Sequence, residues 1–134
     1  MYYFSQMLEV PFQQVIAEVT AALQQEGFGI LTDIDVKATL KKKIDVDFRP
    51  YRILGACHPL IAYQMLQIDD KAGVLYPCNL VVQEQEDGRI EVSAIDPMSM
   101  FRSLEQPQAR EIAETARQKL QAVMEHLKPL VKTA

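Results

Sequence analysis

No stretch of the chain approaches the roughly 20 consecutive apolar residues that a membrane-spanning helix requires, which leaves a soluble, non-membrane protein as the expectation. The opening residues, MYYFSQMLEVPFQQ, hold neither a basic leader nor an apolar run of signal-peptide length, so the cytoplasm is the expected compartment. Cysteine occurs only twice. Two thiols in a reducing compartment do not make a disulfide framework, and a chain of 134 residues buries enough surface to need no staple. Basic residues are the minority, 14 Lys and Arg against 18 Asp and Glu, with a net charge of −4. That balance argues against nucleic acid as a partner, because such proteins neutralise phosphates with a basic surface. The one basic run, Lys41-Lys42-Lys43, is too short to reverse it and reads as a solvated face beside Asp45 and Asp47.

Several signatures of chemistry are also missing. There is no glycine-rich phosphate loop, no GxSxG, no HExxH, no CxxC or HxxxH on one element, and no carboxylate pair with a defined partner. Internal repeats, low-complexity tracts and linkers are absent too, so residues 1–134 read as a single domain.

What is present is clear periodicity in a chain that is 49% hydrophobic and 24% charged. Residues 2–8 form an aromatic-rich opening strand that ends before Pro11. Phe12, Val15, Ile16, Val19 and Leu23 recur at steps of three and four, an amphipathic helix stopped by Gly27. Phe28, Ile30, Thr32, Ile34 and Val36 alternate with Leu31, Asp33 and Asp35 as a strand with one wet face. Residues 37–47 fit a short surface helix; residues 51–57 form a third strand, closed by His58-Pro59, where proline opens a further short helix. Strands at 74–85 and 89–96 flank the sequence EDG. A two-residue turn would set Val92 opposite Gln83 and split the apolar faces. A three-residue loop, Glu86-Asp87-Gly88, pairs 82 with 92 and 80 with 94, and predicts a left-handed glycine at 88. Extended to its end, that register sets Cys78 opposite Asp96. Met98, Met100 and Phe101 read as core or edge cover. From Pro107, Ala109, Ile112, Ala113, Ala116, Leu120, Val123, Leu127 and Leu130 form a long helical stripe. The sum is an α+β two-layer domain of β-α-β-β-β-β-α order, an antiparallel sheet with two long helices on one face.

In this arrangement GACHP at 55–59 and YPCN at 76–79 meet at one sheet edge, with Asp96 beside them. Cys57, His58, Cys78 and Asp96 are therefore the candidate ligand or thiol site. Three readings apply. A soft metal would find thiolate and imidazole ligands there, although the spacing does not resemble a structural zinc site. Thiol chemistry would use Cys57 before a helix start, with Cys78 resolving an oxidised Cys57. The plainest reading makes both cysteines small apolar residues packed under helices, the usual fate of free cysteine.

YRILGACHP, followed by Ala62, Leu66, Gly73, LYPCN, Val81 and Asp96-Pro97, resembles the prokaryotic domain of unknown function numbered 302. The resemblance implies a fold similar to half of a TATA-box-binding protein, and it carries no reaction, cofactor or catalytic residue. Many relatives hold Asn where this chain has His58. The resulting expectation is a non-catalytic small-ligand or protein-binding module acting as a homodimer. The alternative is a thiol-based redox or sulfur-handling protein using Cys57 and Cys78, or a soft-metal site at the same edge. A bare sheet face opposite the helices is the surface a partner subunit would cover.

Overall fold

The structure is a computed structural model that describes residues 1–102 and 106–131. Five strands, β1 (Tyr3–Leu8), β2 (Gly29–Asp35), β3 (Tyr51–Cys57), β4 (Cys78–Glu84) and β5 (Ile90–Ile95), form one sheet of order β1-β5-β4-β3-β2 with every pairing antiparallel. The helices are α1 (Phe12–Gln25), α2 (Val36–Ile44), α3 (Pro59–Ile68), α4 (Pro97–Met100) and α5 (Pro107–Leu127). β2 to β5 follow one another across the sheet, whereas β1 pairs with β5, so α1 carries the chain from one edge to the other. Among the described residues no helix is long and apolar enough to cross a membrane.

Local chemistry sets the element ends. Past α1, Phe28 N–H donates to the Leu23 carbonyl at 2.9 Å and Gly27 N–H to Gln24 at 3.1 Å, with Gly27 at φ 86°, the left-handed ending expected at this glycine. α2 begins where Asp35 accepts the Ala38 N–H at 2.9 Å and ends at Asp45, with φ 55°. The β4–β5 hairpin has the register the apolar parity demands: Leu80 faces Ala94, Val82 faces Val92, Gln85 N–H reaches the Arg89 carbonyl at 2.8 Å, and Gly88 has φ 86°. The ladder begins at Leu80–Ala94, short of Cys78 and Asp96.

Two boundaries differ from the sequence pattern. Residues Ala72–Leu75 form a 3-10 turn, and β4 starts only at Cys78, because Pro77 has no N–H to give the ladder. In β2 the pairing shifts between Ile30 and Thr32, so Ile30 opposes Ala56 while Thr32 opposes Gly55. One extra residue flips side-chain parity. Ile30 therefore packs with the core, and Thr32 and Ile34 lie on the opposite face, a split that strict alternation did not anticipate.

The main core lies between the sheet and the two long helices. Leu8, Leu54, Ala56, Cys78, Leu80, Val82, Ile90, Val92 and Ala94 meet Val15, Val19 and Leu23 of α1 and Leu120, Val123 and Leu127 of α5. A smaller core at one end joins Met65 of α3, Ala72, Phe101, and Ala109 and Ala113 of α5, with Met98 and Met100 packed against it. On the other sheet face, among the described residues, only Ile95 packs against the main core. From β1 towards β3, its rows read Tyr3, Ile95, Asn79, Gly55; then Ser5, Ser93, Val81, Ile53; then Met7, Glu91, Gln83, Tyr51.

Candidate functional site

The GACHP and YPCN segments lie at one end of the sheet, where the last residues of β3 pair with the first of β4. Ala56 opposes Cys78, so both point into the main core, and Cys78 is 3% exposed. Cys57, one residue on, takes the other face and pairs with Gly29 of β2. Both cysteines are free thiols. They are near in the chain of the sheet but separated by its plane. Burial pushes the Cys78 thiol up to about 12, with the neighbouring Cys57 adding to the rise, and burial raises Cys57 as well. Neither has the depressed value of a reactive thiolate.

His58 closes β3 and caps α3: its Nδ1 accepts the Ile61 N–H at 3.4 Å. The ring stands edge-on to Phe28 with centroids 5.5 Å apart, and its Nε2 would lie 2.8 Å from a Cβ on Gly27. Burial, then the charge of Lys119, hold its pKa below the ordinary value. A neutral ring with Nδ1 as acceptor is the state the cap needs. Asp96 is engaged by other partners. Its Oδ1 accepts the Met98 N–H at 3.0 Å at the start of α4, and its Oδ2 lies 3.4 Å from Nε of Arg117 on α5. Among the described residues no group of three or more His, Cys, Asp or Glu is placed to hold a metal ion.

The rest of the two segments is close packing. A Cβ on Gly55 would meet the Thr32 hydroxyl and come within 2.6 Å of the Pro77 ring, so glycine lets both close over β3. Tyr76 packs on Phe101 at 5.5 Å between ring centroids and touches both cores. Its buried hydroxyl has no hydrogen-bond partner among the described residues. Burial, and then Cys78 and Cys57, raise its pKa.

The bare sheet face holds a second, more open feature that the sequence reading did not single out. A concavity of about 340 Å³ lies over Val81 and Ser93, with Tyr2 and Tyr3 at one rim, Tyr51 at the other, and Asn79, Gln83 and Glu91 along its floor. The Glu91 carboxylate accepts the Ser5 hydroxyl at 2.7 Å on Oε2, and on Oε1 the amides of Gln85 at 2.9 Å and Gln83 at 3.5 Å. Ser5 and Ser93 hydroxyls are 2.9 Å apart. Arg49 donates to Gln83 at 2.9 Å and lies over Phe48 and Tyr51. Asn79 and Gln83 on β4, and Glu91 and Ser93 on β5, alternate with core residues, and that alternation was the available signal. The placing of Tyr2 and Tyr3 at its rim depends on pairing β1 with β5, which no local pattern encodes.

A match to the family described as Domain of unknown function DUF302 runs over residues 4–127. The chain belongs to that family. It is similar over 94% of its length, at 28% identity and a TM-score of 0.86, to an uncharacterized conserved DUF302 protein from Bacillus stearothermophilus, 98% of which is covered. No curated protein matches the chain. In this DUF302 chain, the residues that carry the family likeness do structural work at the cysteine end: Gly55 admits Pro77, Ala56 and Cys78 share the core, and residue 58 caps α3.

Proposed function

We propose that the chain is a non-catalytic binding module whose ligand sits in the concavity of the bare sheet face. The observation that carries this reading is the cavity itself. At about 340 Å³ it falls at the lower end of the ~300–1,000 Å³ typical of small-molecule sites, and aromatic rims with a few convergent polar groups are the usual lining. A homodimer covering the same face is the competing occupant. It would bury Glu91, whose hydrogen-bond donors are all neutral, and an unpaired buried carboxylate costs several kcal/mol.

The thiol alternative at Cys57 and Cys78 draws less support, since the two side chains leave opposite faces of the sheet and both thiols are raised. The soft-metal alternative draws less still, with His58 Nδ1 engaged in a cap and Asp96 held by Met98 and Arg117. The test is amide-resolved NMR titration of the whole chain with a mixed-charge fragment set. Saturable shifts clustered at Tyr3, Tyr51, Val81 and Ser93, and lost in Val81→Trp, are expected. Shifts clustered at Cys57 and Cys78 instead, or a self-association that bleaches the bare face, would overturn the reading.

A further inference from the structure

The bare face is unevenly charged. Glu91, in its last row, forms no ion pair among the described residues; its partners are a serine hydroxyl and two amides. Neither nearby guanidinium pairs with it: Arg49 reaches Glu91 only through the Gln83 amide, and Arg89 has its own carboxylate. Arg49 is held against Phe48, 4.4 Å from the ring centroid, and bonded to Gln83, while Arg89 turns back to Asp87 at 2.8 Å. Ser93 and Glu91 are two residues apart on the same face of β5, about 7 Å along the strand, so Glu91 is within reach of a ligand over Val81 and Ser93. On either side stand tyrosine rings, Tyr2 and Tyr3 in edge contact at 4.9 Å and Tyr51 opposite. Tyr51 already accepts a guanidinium at 5.7 Å on one side.

A carboxylate fixed by neutral donors and flanked by aromatic faces is a cation-recognition arrangement. Ring quadrupoles attract an ammonium, and neutral hydrogen bonds hold the negative charge in place without cancelling it. We infer that the ligand of this face is a small organic cation, a primary or quaternary amine, with its charged end towards Glu91 and its body between Tyr51 and the Tyr2–Tyr3 pair. This rests on the binding-module reading and adds the ligand class. The polar floor separates it from an apolar ligand: Asn79, Ser93 and Gln83 offer groups that a hydrocarbon would leave desolvated and unmatched.

The experiment titrates the whole chain, followed by amide NMR, with four probes: choline, n-butylamine, the neutral isostere 3,3-dimethylbutan-1-ol and the anion 3,3-dimethylbutanoate. Saturable shifts from the two amines at Tyr3, Tyr51, Val81, Glu91 and Ser93 are expected, with the alcohol and the acid weaker by about tenfold or more. Glu91→Gln keeps an acceptor and the side-chain shape, and is expected to weaken the amines about tenfold while leaving the rest of the spectrum in place. Tyr51→Ala is expected to weaken choline alone more than n-butylamine, since the diffuse quaternary charge leans most on the ring. The inference fails if the alcohol binds as tightly as choline or if Glu91→Gln changes nothing. In those cases binding at the same amides keeps the module reading alive. If no probe perturbs the face, both fall.

Discussion

His58 holds a place where the fold asks for a hydrogen-bond acceptor more than for a base. Its Nδ1 serves the Ile61 N–H, so replacing it with Ala removes a cap worth about 1 kcal/mol, whereas Asn restores an acceptor. Protonation removes the same acceptor. Because the folded pKa lies below the ordinary 6.5, the unfolded chain binds the proton more readily, and stability falls as pH drops through and below about 6.5. Urea titrations at pH 7.5 and pH 5.5 are expected to show a larger loss for the wild type than for His58→Asn; equal losses would show that the ring's titration is not felt by the fold. Much at this scale was legible. The plain reading of both cysteines as core describes Cys78, which is buried, but not Cys57, which is half-buried outside it; Met98, Met100 and Phe101 do serve as cover. The face taken by each cysteine was not, because it follows from the β3–β4 register, set by contacts across some twenty residues of chain.

Among the elements, α2 is the least committed to the rest. It has no buried residue, and its ends are fixed by Asp35, by the left-handed Asp45, and by Lys41, which lies 2.9 Å from Asp45 and 3.3 Å from Asp47. Exposed pairs of this kind add little, so the helix is held chiefly by its cap. Asp35→Ala is expected to speed amide exchange of residues 38–44 by about fivefold, the worth of a ~1 kcal/mol cap, with no matching change in the β4–β5 hairpin. A uniform rise across the molecule would instead mean that α2 opens only with global unfolding. The same element shows what period and composition deliver: a surface helix was readable from Leu40 and Ile44 four apart among charges. The β2 bulge was not, since Ile30, Leu31 and Thr32 fit an unbroken strand equally well until β3 is laid beside them. The bulge and the acidic Asp33 and Asp35 also leave this outer edge poorly suited to pairing with another chain.

For the molecule as a whole, element order and the two-layer architecture followed from apolar periodicity, because each long helix and each strand has one face that must be buried. The division into two cores, and the meeting of Tyr76 with both, arises from turns at 72–75 and 97–100 whose packing partners are distant in sequence. The edge-to-edge path of α1 has a further effect in time. Ser5 finds its partners Glu91 and Ser93 86 and 88 residues later, so a growing chain presents β1 well before its neighbour exists. The β2–β5 meander can assemble from near neighbours while β1 waits. Pulse-labelled amide exchange during refolding is expected to show the β1 amides protected after those of β3, β4 and β5; earlier or simultaneous protection would contradict this order. A protein being synthesised would then hold its first strand in reserve, and the last hydrogen-bonded seam to form would be the one that brings Tyr2 and Tyr3 to the rim of the bare face.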